Sequence, residues 1–128
     1  ITFSMNTFKK SERLCDLRST ENLFSNGKSL SENPFRLVYL EVDETRDSFV
    51  KTQIVVPKRN IIKAVNRNKI KRSIKEAFRN HKSYLISELE KKNKKVNLSI
   101  IYQSSKILSY LFIEEKIKLS LVRLNSKL

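Results

Sequence analysis

The sequence predicts an α+β fold: a small single-domain α/β sandwich with its elements in the order α-β-β-α-β-α. Three observations carry this prediction. Two stretches place apolar residues at helical spacing, Ile70, Ile74, Ala77 and Phe78 at i, i+4, i+7, i+8, and Ile113, Ile117, Leu121 and Leu124 at i, i+4, i+8, i+11. Three short runs are rich in β-branched and aromatic residues: Phe35 to Val42, Phe49 to Val56 and Val96 to Tyr102. No repeat or low-complexity linker divides the 128 residues, and an apolar fraction of 39% suffices for one modest core. Residues 1–128 therefore read as one domain, with 1–7 a flexible N-terminal extension.

Taken in order, Thr7 to Leu14 is polar apart from Phe8 and Leu14 and reads as an extended arm pinning two apolar anchors. A helix is predicted from Ser19. Ser19 or Thr20 caps it, Leu23 and Phe24 supply its buried side, and Gly27, the single glycine, stands where a left-handed terminal residue belongs. Lys28 to Pro34 reads as a loop. On the first strand Phe35, Leu37 and Tyr39 share one face, and Arg36, Val38 and Leu40 the other. The acidic segment Glu41 to Asp47 turns the chain into Phe49 to Val56, the expected antiparallel neighbour, which Pro57 closes because proline cannot donate to the ladder.

Lys58 to Lys63 leads into the basic helix Ala64 to His81. Tyr84, Leu85, Ile86 and Leu89 extend it by a turn or two until the run Lys91 to Lys95 breaks it. Beyond the third strand, Ser104 and Ser105 fill a loop and Ser109 caps a last helix that runs to about Leu124.

Charge narrows the function. Lys and Arg total 27 against 13 acids, a formal excess of 14, which costs self-repulsion in the folded chain and favours association with nucleic acid or an anionic surface. Between Lys58 and Lys82 stand ten Lys or Arg residues (Lys58, Arg59, Lys63, Arg67, Lys69, Lys71, Arg72, Lys75, Arg79, Lys82) against one acid, Glu76. Arg67 and Lys69 sit at the start of a helix, where the macrodipole prefers carboxylates. Cations placed there against helix stability point to a polyanionic partner; a merely solvated basic face is the plain alternative. Guanidinium groups grip phosphate at two points and ammonium groups as point charges. Asn68 in the same cluster can bond a base edge, a 2′-hydroxyl or metal-held water. Phe24, Phe35, Tyr39 and Phe49 are available to stack on bases, although core packing claims most of them.

Other chemistries have little support. His81, the single histidine, reads as a surface residue near a helix C-terminus with Glu76 the nearest carboxylate in sequence. Cys15 is the single cysteine and reads as a buried or incidental thiol, so no disulfide partner exists within the chain, which fits a reducing cytoplasm. Glu41, Asp43, Glu44 and Asp47 read as a solvated turn, without the ligand spacing of a calcium loop. A helix-turn-helix docking on DNA needs a helix just upstream of the basic one, where Ile54-Val55-Val56-Pro57 is strand-like. Membrane binding is disfavoured because the apolar stripe of the basic helix is needed to cover the sheet, and no run approaches a membrane span. No apolar signal segment begins the chain, and Met5 is a candidate start that would make Ile1 to Ser4 an upstream remnant.

Several strings resemble the bacterial ribonuclease P protein component: Val56-Pro57-Lys58-Arg59, then Lys63 to Arg72 (Lys-Ala-Val-Asn-Arg-Asn-Lys-Ile-Lys-Arg), then Lys75-Glu76-Ala77-Phe78-Arg79. Phe8, Lys10, Arg13 and Leu14, the Leu23-Phe24 pair before Gly27, and Pro34-Phe35-Arg36 resemble the N-terminal half of that family. The resemblance spans roughly Phe8 to Leu124. It implies a protein subunit whose RNA partner, with Mg2+ held mainly by the RNA, removes the 5′ leader of precursor tRNA; the protein supplies no catalytic residue. It implies RNA binding by Lys58, Arg59, Lys63, Arg67, Asn68, Lys69, Lys71, Arg72, Lys75 and Arg79, with any protein-proximal metal near Asn68. It implies a leader cleft lined by Phe24 and either Tyr39 or Arg36 with Val38, and a left-handed strand-helix-strand crossover against the usual right-handed rule.

This chain departs from the family pattern in carrying Lys69 and Lys75 where arginine is usual. It also lacks the glycine before Ala64-Val65, and Asn60 to Lys63 fills a link one residue longer. The alternative expectation is a non-enzymatic RNA-binding protein such as a ribosomal component.

Overall fold

The computed structural model describes residues 12–128. The elements run α1 (Leu17–Asn26), β1 (Lys28–Glu32), β2 (Phe35–Val42), β3 (Val50–Val55), α2 (Ala64–Lys92), β4 (Lys95–Tyr102) and α3 (Tyr110–Lys127). The α+β class holds, but the order is α-β-β-β-α-β-α, one strand more than expected. The strands form a mixed sheet in the order β1-β2-β4-β3, in which β4 pairs antiparallel with β2 and parallel with β3. The N-terminal extension and the anchor Phe8 lie outside the described residues. The other anchor, Leu14, is buried, and its N–H donates to the Thr52 carbonyl at 3.0 Å.

The segment expected to be a loop, Lys28 to Pro34, contains β1. Its sequence Lys-Ser-Leu-Ser-Glu buries Leu30 alone. An edge strand with one core-facing residue and polar neighbours has the composition of a loop, and that polarity blunts an exposed edge. Gly27 is corrected with it. The residue is extended at φ −75°, ψ 161°, not left-handed. Glycine is required here by proximity, since a Cβ would stand 2.3 Å from the Leu23 carbonyl oxygen and 2.9 Å from that of Tyr39. Both are backbone atoms that cannot swing aside. Gly27→Ala is therefore expected to lower stability by about 1–3 kcal/mol, the usual cost of overpacking, read as a lower denaturant midpoint with an unchanged slope.

The cap of α1 is Asp16, not Ser19 or Thr20. Its carboxylate accepts from the Ser19 N–H at 2.9 Å, and this bond holds the carboxyl below its ordinary value of 3.8. A depressed folded pKa places the stabilisation above the unfolded value; it is lost as pH falls through the folded value. In Asp16→Asn the protection of α1 amides from exchange should no longer fall on acidification across that window, whereas a persistent fall would locate the titration elsewhere.

The pairing of β3 is the third correction. Val50–Val55 is not the neighbour of β2 but lies beyond β4, in register Val50↔Val96 to Val55↔Ile101. Every residue of β4 from Val96 to Tyr102 is buried, Asn97 and Ser99 included. The strand buried on both faces takes the centre of the sheet, and the connection 43–49 is long enough to cross its end. Arg46 secures that crossing: Nη1 donates to Asn97 Oδ1 at 2.8 Å, Nη2 to the Val96 carbonyl at 3.0 Å, and Nε to the Ser48 carbonyl at 2.9 Å.

The main core lies between one sheet face (Phe35, Leu37, Tyr39, Leu98, Ile100, Tyr102) and the buried stripes of α2 and α3. Those stripes are the two read from the sequence, Ile70-Ile74-Ala77-Phe78 and Ile113-Ile117-Leu121-Leu124. The opposite face is not bare, as a one-sided sandwich would have it. Leu23 of α1 packs there with Leu14, Val38 and Ile101 in a smaller cluster. α2 runs on to Lys92 and ends where Asn93 turns left-handed at φ 53°, while Ser109 caps α3 as expected, accepting from the Phe112 N–H at 3.3 Å.

Candidate nucleic-acid interface

The basic helix opens without help for its own N-terminus. Lys63 caps it with no side-chain bond, and the first turn carries no acid. The link ahead of it is tied down instead. Asn60 Nδ2 donates to the Tyr102 carbonyl at 3.1 Å, and Arg67 Nη1 donates to the carbonyls of Ile61 at 2.9 Å and Ile62 at 2.5 Å. Arg67 is thus a brace for the longer link as well as a charge at its surface. Lys58, Arg59, Lys63, Asn68, Lys69, Arg72 and Lys75 are exposed, while Arg67, Lys71 and Arg79 are half-buried.

The expected cluster is not one surface. At about 100° per residue, Lys69 lies roughly 160° around α2 from Lys71. Lys71, Arg72, Lys75 and Arg79 follow one another along the outer side, and Lys69, roughly 60° from Arg72, stands at the edge of that row, bordering the groove toward α3. Lys82 leaves the cluster altogether. It is 1% exposed, and its Nζ donates to both carboxylate oxygens of Glu12, at 3.0 and 2.9 Å. The one acid in the run, Glu76, forks with Arg79 at 2.5 and 3.1 Å, and that bond holds the Glu76 carboxyl below its ordinary range.

His81 is also corrected. It lies in the middle of α2, and the nearest carboxylate is Glu114 of α3, at 3.4 Å, rather than Glu76. Helix packing supplies a neighbour that sequence distance hides. Cys15 is exposed rather than buried. Glu44 of the acidic turn pairs with Arg46 at 3.1 Å. Among the described residues no three His, Cys, Asp or Glu gather closely enough to hold a metal, and no described helix is long and apolar enough to cross a membrane.

The face of the sheet under α1 forms a second candidate surface. Pairing puts Arg36, Val38 and Leu40 of β2 beside Ile101, Ser99 and Asn97 of β4, and these beside Val55, Gln53 and Lys51 of β3. Arg36 is exposed, Val38 is buried under α1, and Gln53 Nε2 donates to Ser99 Oγ at 3.3 Å. Phe24 projects from α1 with 46% of its surface exposed. Tyr39 is on the opposite face, buried in the main core. The alternatives for the strand are thereby separated: Arg36 and Val38 share the α1 face and Tyr39 does not. The sequence reading missed Lys51, Gln53, Asn97 and Ser99. Their alternation along two strands was legible, but nothing local said that those strands are adjacent.

A model of the family described as Ribonuclease P matches residues 8–120. The chain is 29% identical to the ribonuclease P protein component of Porphyromonas gingivalis over 115 residues, covering 90% of this chain and 84% of the relative. It is 40% identical over 78 residues to that of Petrotoga mobilis, covering 61% of this chain and 63% of the relative. Among solved structures, the ribonuclease P protein of Thermotoga maritima superposes with a TM-score of 0.69 at 27% identity, covering 88% of this chain and 96% of the other. A Staphylococcus aureus ribonuclease P protein mutant with defective mRNA degradation activity has the same fold, with a TM-score of 0.72 at 24% identity and coverage of 90% and 89%.

Proposed function

The chain belongs to the ribonuclease P protein family, and from that premise we propose how its two surfaces divide the RNA between them. As the protein subunit of ribonuclease P it serves tRNA 5′ maturation within a ribozyme endonuclease, with the ribonuclease P RNA as its partner. In this reading the outer side of α2, with Lys71, Arg72, Lys75 and Arg79 continued by Lys58, Arg59, Lys63 and Arg67, holds phosphates of that RNA. Asn68, exposed on the same side, meets a 2′-hydroxyl or a hydrated ion. The sheet face under α1, with Phe24, Arg36, Lys51 and Gln53, holds the single-stranded leader of precursor tRNA. The observation that carries the division is the cation-dense outer side of α2, where Arg72 and Lys75 are exposed while the apolar stripe of the same helix is used in the core.

Among the described residues no His, Cys, Asp or Glu cluster offers a protein cage for Mg2+, so in this reading the phosphates of the RNA hold the ion and the protein adds charge and position. The family resemblance also supports a left-handed β3-α2-β4 crossover, and a family match over 8–120 supports reading 1–128 as one domain.

Directed hydroxyl-radical probing tests the division. In a Cys15→Ser background, a cleaving reagent on Lys75→Cys should cut the RNA subunit, and one on Phe24→Cys should cut the leader. Leader cuts from Lys75→Cys, or none from Phe24→Cys, would contradict it. A milder change probes the electrostatics: Glu76→Gln removes the one negative charge from the phosphate-binding side. It is expected to tighten binding to the RNA severalfold and steepen its salt dependence. Titration of affinity against salt reads both.

A further inference from the structure

Lys69 stands at the edge of the outer row of cations, roughly 60° around α2 from Arg72, where the row borders a groove. Between α2 and the β4–α3 connection runs a groove of about 440 Å³, within the range of sites that take small organic ligands. One wall is Lys69, Ile70 and Ser73; the other is the segment from Ile107 to Tyr110. Ile70 closes the floor, 1% exposed, and Ile107 is left 48% exposed at the rim. The Tyr110 ring is held in place from two sides: its hydroxyl accepts from Asn80 Nδ2 at 3.2 Å and donates to Glu114 Oε2 at 3.1 Å. The groove therefore offers an apolar floor, a fixed aromatic wall, the hydroxyls of Ser73 and Ser109, and one ammonium at its lip.

We propose that this groove receives one unpaired nucleotide of the ribonuclease P RNA, its base against Ile70, Ile107 and Tyr110 and its phosphate on Lys69. RNA presents splayed bases at bulges and loops, and those bases are read by stacking and by polar groups at their edges. Charge decides for RNA over an apolar peptide: the lip is cationic, the chain carries a formal charge of +14, and the groove is continuous with the basic helix. The assignment rests on the reading of α2 as the RNA-binding helix. It adds a stacking contact on the flank beside the phosphate row.

The two kinds of contact differ in how salt affects them. Ile107→Ser strips the rim, and Ser73→Phe fills the groove. Each is expected to weaken binding of the full protein to ribonuclease P RNA about tenfold, within the range for one stacked base, a loss that persists at high salt, with the log–log salt slope lowered by no more than the single Lys69 phosphate, about 0.7 to 0.9. One RNA nucleotide protected from 2′-hydroxyl acylation by the wild-type protein should become reactive with both variants. Arg72→Ala, run in parallel, should lower the slope.

Groove variants that bind as the wild type does, while Arg72→Ala flattens the slope, would overturn the groove and leave the phosphate row standing. An unchanged slope in Arg72→Ala together with weakened groove variants would overturn the phosphate row and keep the groove. RNA affinity untouched in groove variants that lose a protein partner would also overturn the nucleotide. Thermal melting checks the fold, and because Ile107 is half exposed, Ile107→Ser carries the test if Ser73→Phe melts early.

Discussion

Replacing Lys71, Arg72 and Lys75 together by glutamate is expected to abolish assembly with ribonuclease P RNA at about 0.15 M salt, and with it the gain in precursor-tRNA cleavage over RNA alone. Arg72 and Lys75 are exposed and Lys71 half-buried, so the change falls on the surface and leaves the stripe of Ile70, Ile74 and Phe78 intact. Each neutralised phosphate contributes roughly 0.7 to 0.9 to the slope of log affinity against log salt. Losing three lowers that slope by about two to three, and the reversed charges add repulsion. The folded chain itself gains nothing from this cationic row, which repels itself and the helix N-terminus. Melting temperature should therefore hold or rise while binding collapses. Filter binding across a salt series, with melting as a control, measures both, and a slope equal to that of the wild type would remove phosphates from this side of α2.

Lys82→Met is expected to do the reverse: a large loss of stability with no change in salt slope. Lys82 is 1% exposed and Glu12 retains 13% of its side-chain exposure, joined by two bonds of 2.9 to 3.0 Å. Removing Lys82 takes both of these bonds from a largely desolvated Glu12 carboxylate, which costs about 3–5 kcal/mol. For a chain of this size that is a fall in melting temperature of about 10 °C or more. The double variant Lys82→Met with Glu12→Leu should recover most of the loss, because an apolar pair of similar volume needs no desolvated charge. Because the pair is shielded, the deficit should persist in high salt, unlike that of a surface bridge. Denaturant unfolding of the wild type, both single variants and the double measures the coupling; additive single effects would show that the two residues do not act as a pair. The ion pair also fastens the segment before Leu14 to α2, so the stability loss should appear first as faster amide exchange at Leu14.

These two lysines mark the limit of reading in one dimension. Lys75 and Lys82 are both cations on one helix, seven residues apart, and composition treats them alike. One is exposed beside Arg72 and Arg79; the other is inside, against a residue seventy positions away. Helix periodicity places Lys82 near the edge of the apolar stripe but does not say what waits there. The same limit explains His81, whose neighbour Glu114 comes from α3, and Arg46, which reads as part of an acidic turn until β4 arrives beneath it.

What the sequence determined by itself is everything set by neighbours within a few positions. That includes the apolar stripes of α2 and α3, the bounds of β2, the cap at Ser109, the break of α2 within Lys91 to Lys95, and the family-like strings around Arg67 and Arg72. These follow from repeat geometry, capping and local charge, which act over one or two turns of chain. Only the tertiary structure decided that β4 parts β2 from β3, that β1 exists, that Tyr39 faces the core while Arg36 and Val38 share the α1 face, and that Lys82 leaves the cationic row. Each of those depends on which distant surfaces bury one another. A strand such as β1, with Leu30 its one core residue, is stabilised by its partner β2 rather than by its own composition.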